Sequence, residues 1–105
     1  MTDAQIQIKC DGDITFARMD EFREKLQQAL DNGLSVEIDS VSIGEVAFGL
    51  IQLLIATRSS ASRRGVPFSM KQPIGEPMLA ALRRGGFLAA EPSSTNSFWL
   101  GETVS

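Results

Sequence analysis

The chain has 105 residues and a formal net charge of −3, room for one ordinary domain and not for two. Hydrophobic residues at 43% and charged residues at 22% are the values of a folded globular domain and argue against disorder along the whole length. The acidic balance gives no general attraction to nucleic acid or to an anionic membrane surface, no apolar run is long enough to insert in a membrane, and the start Met1-Thr2-Asp3-Ala4-Gln5 has neither the basic nor the apolar segment of a secretory signal.

Gln5 to Cys10 alternates polar and apolar residues, the mark of a half-buried strand. Asp11-Gly12-Asp13 is a turn. Ile14-Thr15-Phe16 reads either as a short second strand or as the lead into a helix. That helix runs to about Asn32, with Met19, Phe22, Leu26, Ala29 and Leu30 on one stripe. Asp20 and Glu21 lie in an early turn, where the helix dipole favours acids, and Glu21 and Lys25 form an i,i+4 pair. Asn32-Gly33 supplies the stop. Leu34 to Asp39 is the next strand, and Ser40 to Val46 connects it to a second helix from near Ala47 to near Arg64, stopped by Gly65. Val66 to Met70 is a short strand whose Pro67 suits a first or edge position. Pro77 opens a third helix through Arg84, closed by Gly85-Gly86. Pro92 to Ser97 is a late loop, so residues 92–105 read as a loose tail or as a final edge strand around Phe98-Trp99-Leu100.

Strands separated by helices need crossover connections. The expected fold class is α/β: one small domain over residues 1–105, with a mixed sheet of about four to five strands and about three to four helices mainly on one side.

Residue types narrow the chemistry. With one cysteine, Cys10, and no histidine, neither a Ser-His-Asp nor a Cys-His pair can form, histidine and paired-cysteine metal sites are excluded, and so is an internal disulfide. No cofactor is expected. A cytoplasmic protein is the natural reading, with Cys10 a small buried apolar residue. Neither Gly44 and Gly49 nor Gly75 belongs to a phosphate-cradling loop. The pairs Arg63-Arg64 and Arg83-Arg84 sit where cations complement a helix C-terminus.

The second helix has an apolar arc wider than one sheet requires. At ~100° per residue, Ala47, Leu50, Ile51 and Leu54 share a face, Phe48 and Ile55 form one flank and Leu53 the other. Either the first helix covers a flank or the flank meets a partner, and a homodimer would suit the same surface. Arg58 falls near the middle of the apolar face, so its stem is expected to pack and its head to reach water or an acid.

Gly12-Asp13-Ile14-Thr15-Phe16, Val36-Glu37-Ile38-Asp39, Leu50-Ile51-Gln52-Leu53-Leu54 and Arg63-Arg64-Gly65-Val66-Pro67-Phe68, in this order and with helices between, resemble a STAS domain, the family of sulphate-transporter and anti-sigma-factor-antagonist domains. The similarity runs from about Asp11 to Leu88. The family pattern has an Asp ending the strand that Asp39 ends here and, eight positions on, an Asp-Ser/Thr-Ser/Ala-Gly-Leu motif that opens the second helix. In this chain those positions hold Ala47-Phe48-Gly49-Leu50-Ile51. In switching members the hydroxyl after the Asp is phosphorylated by a partner kinase. Phe48 stands at that position without a hydroxyl, so no phosphate is expected there, and Ser42 and Ser40 are the nearest alternatives.

The resemblance implies a non-enzymatic protein–protein interaction module, like an anti-sigma-factor antagonist in bacterial signalling. Its partner would be an anti-sigma factor or related serine kinase, or a two-component or chemotaxis protein. The expected partner-binding residues are Ser42, Gly44, Glu45, Ala47, Phe48, Gly49 and Gln52. Phe48 either anchors a partner from an exposed position or folds under the loop at Ile43 as core. The alternative role implied by the family is an accessory subunit bracing the ATPase of a lipid-transport ABC complex.

Overall fold

The alternation of short apolar strands with amphipathic stripes resolves, in the computed structural model, into eight elements; the structure describes residues 5–88 and 98–101. In chain order they are β1 (Gln5–Lys9), β2 (Gly12–Ile14), α1 (Phe16–Asp31), β3 (Ser35–Asp39), β4 (Ile43–Val46), α2 (Phe48–Arg64), β5 (Phe68–Met70) and α3 (Glu76–Arg84). The α/β class stands. The sheet is divided in two: β1-β3-β5 form one and β2-β4 the other, and every ladder among the described residues is parallel.

Hydrophobic pattern and caps explain the boundaries. The α1 stripe of Met19, Phe22, Leu26, Ala29 and Leu30 is buried, and Thr15 caps the helix, its side chain accepting from the Arg18 N–H at 3.4 Å. Because α1 starts as early as Phe16, Asp20 and Glu21 fall beyond its first turn, which holds no acid; the expected dipole benefit does not reach them. Glu21 and Lys25 do approach, at 3.9 Å. The α2 helix ends at Gly65, whose left-handed φ of 69° is a conformation that glycine adopts without a Cβ penalty.

β3 lies centrally between β1 and β5, with Val36 and Ile38 pairing across both ladders. Both are fully buried, as are Leu26 of α1, Leu50 and Leu54 of α2 and Met78 and Leu82 of α3. Burying each such side chain contributes roughly 1.5–3 kcal/mol. The α1 helix packs against α2 and covers the Leu53 flank, through a groove lined by Leu26, Leu30, Leu53 and Thr57. At the far end of the pair, Arg64 of α2 and Asp31 of α1 meet at 2.8 Å.

Two further expectations fail. The connection after Asp39 is not all loop: its second half is β4. Residues 98–100 are helical rather than an edge strand, because Trp99 turns into the core, where it is fully buried, and Phe98 stacks on Phe68 at a centroid separation of 5.6 Å. Arg58 places its guanidinium over the Phe98 ring, 4.9 Å from the centroid, so its head finds an aromatic face. The expected late loop from Pro92 to Ser97 lies outside the described residues, as do Glu102 to Ser105.

Candidate interaction surface

The β2–β4 ladder sets Ile14 opposite Val46. One residue further on, each strand reaches a helix cap in extended conformation, Thr15 at φ −77° and ψ 167° and Ala47 at φ −76° and ψ 144°. One residue further still, each enters its helix with a phenylalanine. Phe16 and Phe48 therefore stand at the first positions of neighbouring helices, 88% and 57% exposed. These are the two most exposed large hydrophobic side chains among the described residues. The reading of Phe48 as core beneath the loop is overturned. Ile43 is the residue that turns inward, 5% exposed, while Phe48 rests its ring against Phe87 at a centroid separation of 5.4 Å and a 45° tilt.

Asp13 ties the two strand ends together. Its Oδ1 accepts the N–H of Glu45 at 2.8 Å. Arg18, in the first turn of α1, donates to the carbonyls of Asp11 and Asp13 at 2.9 and 2.7 Å. Gly44 permits this approach, since a Cβ there would collide with Asp13 Oδ1 and lie 3.1 Å from the Asp13 nitrogen. Between the strand ends is a cleft of about 190 Å³ lined by Asp13, Ile14, Thr15, Phe16, Glu45 and Ala47. Phe48 turns the other way, onto a second cleft of about 390 Å³ that it lines with Val46, Ile51, Ala81, Arg84 and Gly85.

Of the residues expected from sequence, Glu45, Phe48, Gly49 and Gln52 are exposed and Gly44 and Ala47 half-buried along this edge. Ser42 is exposed at the head of β4, where its carbonyl accepts the Gly12 N–H at 3.0 Å. Ser40 is apart from them: it is fully buried, and its Oγ accepts the Gly75 N–H at 3.2 Å. This contact fixes the start of α3 to the end of β3. A Cβ on Gly75 would collide with the Ser40 carbonyl. The start of α2 has no side-chain cap, since Ala47 offers none.

Phe16 and Asp13 belong to the same surface, although sequence reasoning assigned them no role. The available signal was a repeated pattern, Ile14-Thr15-Phe16 and Val46-Ala47-Phe48, in which an apolar residue, a small cap and a phenylalanine precede each helix.

The titratable groups carry little chemistry. Cys10 is fully buried, and burial pushes its thiol up to about 12, far from the thiolate form at neutral pH. Asp31 is held below the usual carboxylate range by its hydrogen bonds from Arg64 and Gln27. Among the described residues no cluster of side chains suited to a metal ion forms, and no helix is long and apolar enough to cross a membrane.

The family described as "Mlab, STAS domain" matches residues 1–88, a span that takes in β1 to β5, α1 to α3 and the edge carrying both phenylalanines. Among curated proteins no sequence matches the chain.

Proposed function

The chain belongs to the STAS family, and on that premise we propose that it is a non-enzymatic interaction module that docks a regulatory protein in the cytoplasm through the start of α2. One observation carries this reading. Phe48 is exposed and ordered against Phe87, at the position where the family pattern keeps a modifiable hydroxyl. An aromatic ring already held by a neighbour loses little rotamer freedom on binding, which is the property of a good anchor. Glu45 supplies charge complementarity beside it, and Ser42, Gly44, Ala47, Gly49 and Gln52 form the surrounding surface. STAS domains are generally non-catalytic, and among the described residues no activated nucleophile or acid–base pair is seen.

The partner class is an anti-sigma factor or related serine kinase, as for an anti-sigma-factor antagonist. The missing hydroxyl makes the module constitutive, so that control comes through stoichiometry or the state of the partner. Kinase and ATP should add no phosphate at residue 48. Ser40, buried beneath α3, is a poor acceptor, and phosphate on Ser42 would replace the constitutive reading with a switched one.

The direct test is binding of a cognate kinase to the wild-type chain and to Phe48→Ala. Loss of an aromatic anchor costs about 2 kcal/mol or more, or roughly 30-fold in affinity, with the thermal melt of the variant unchanged. Equal affinity of the two proteins would remove the proposal. Co-purification with a transporter ATPase in place of a soluble kinase would instead assign the chain to the bracing role in an ABC complex.

A further inference from the structure

We infer that this edge has a second anchor, Phe16, and that the face it meets on a protein partner bears apolar hollows rimmed by lysine or arginine. The inference rests on the interaction-module reading and adds to it the second contact and the partner's chemistry. A single exposed apolar side chain is ordinary. Two phenylalanines that a parallel ladder sets at the first positions of neighbouring helices are a paired feature, and Phe16, at 88% exposure, is more open than Phe48.

Charge selects the occupant. The cleft beside Phe16 is lined by the carboxyl-bearing residues Asp13 and Glu45, and no cation lines it. The nearest cation on α1, Arg18, has its guanidinium donating to two backbone carbonyls. Arg84 lines the cleft on the α3 side of Phe48. Asp13 uses one carboxylate oxygen on the Glu45 N–H, and the Arg18 guanidinium on the Asp13 carbonyl and the helix N-termini offset part, not all, of the charge of the two carboxylates. What remains is an apolar floor of Ile14 and Ala47 under an acidic rim, with the Phe16 ring beside it. A lysine or arginine side chain matches it with an apolar stem and a cationic head, and the Phe16 ring offers its face to the cation. An acidic partner would bring like charges together at the rim.

The probe is a library of random peptides displayed and selected against the full chain. Selected peptides should pair a basic residue with an aromatic or aliphatic one, and their affinity should fall as salt rises. Phe16→Ala should weaken them about tenfold or more, with its melting curve unchanged because the ring is exposed. The double variant Asp13→Asn/Glu45→Gln, which keeps an oxygen to accept the Glu45-position N–H, should flatten the salt dependence. Acidic or neutral winners, no winner, or affinity indifferent to Phe16→Ala would overturn the inference. So would self-association of the chain that Phe16→Ala abolishes, because the edge would then belong to a second copy. If Phe48→Ala weakens binding and Phe16→Ala does not, the second anchor fails alone; if neither matters, the parent reading fails with it.

Discussion

The β2–α1 and β4–α2 junctions follow one plan and differ at the cap. Each runs from a paired strand through an extended cap into a helix that begins with phenylalanine. At the first, Thr15 caps its helix with a side-chain oxygen. At the second, Ala47 provides no such bond, and the start of α2 is held from outside by the Asp13–Glu45 contact, by Phe87 against Phe48 and by the core beneath Leu50 and Ile51. A helix start can thus be secured locally by a hydroxyl or tertiarily by packing. Either solution leaves a phenylalanine at the first position of its helix.

The largest expected effect tests the unequal burial of the paired strand ends. Ile14 is 2% exposed and Val46 half-buried. Ile14→Ala should cost about 2–5 kcal/mol in urea unfolding, and Val46→Ala no more than about 1–2 kcal/mol. Equal costs would show that the two ends share the core evenly. Next comes the cap itself. Thr15→Ala should lose about 1 kcal/mol, and Ala47→Asp, which restores a capping oxygen at a residue already in cap geometry, should gain about 0.5–1 kcal/mol. A destabilising Ala47→Asp would mean that packing has closed the site to a cap. The bridge between the junctions gives a smaller effect: Asp13→Ala should cost about 0.5–1.5 kcal/mol by leaving the Glu45 N–H without its acceptor, and Asp13→Asn should be close to neutral. Thermal melts of both variants check this.

The smallest effect lies at the opposite end of the same helices. Asp31 is held below its ordinary value chiefly by Arg64, so the unfolded chain binds its proton more readily. The stability this pair lends is present above the ordinary carboxylate pKa near 3.8 and is lost as pH falls through the lower folded value. Both side chains are largely exposed, at 39% and 57%, so screening keeps the effect slight. Arg64→Ala should lower the neutral plateau slightly, leave stability at the acid end unchanged, and so flatten the acid limb by the same small amount.

Where each element carried its own period, the fold could be read from the sequence. The α1 stripe and the Gly65 stop gave two helices nearly to the residue, and Val36 and Ile38 alternate as a strand should. β4 escaped because its buried Ile43 and half-buried Val46 lie three apart. The ladder explains the spacing: Gly12 and Ile14, two apart, face Ile43 and Val46 across a register shift. Residues 98–100 escaped because aromatic side chains suit strands by propensity, and only the cavity that Trp99 fills decides otherwise. Within the site, the register of Phe48 was legible from spacing, but its exposure was not, since an apolar flank reads the same whether covered or bare. Phe16 stayed hidden because its neighbourhood with Phe48 is created by a pairing between residues 32 positions apart.

The sealed sulfur of Cys10 gives the molecule a built-in clock. As the chain's single cysteine, with its ionisation suppressed in the native state, it should react with an alkylating reagent only when the fold opens, so the labelling rate times that opening. The same silence means that a new cysteine introduced on the surface could carry a dye or spin probe alone, with the native sulfur left in place.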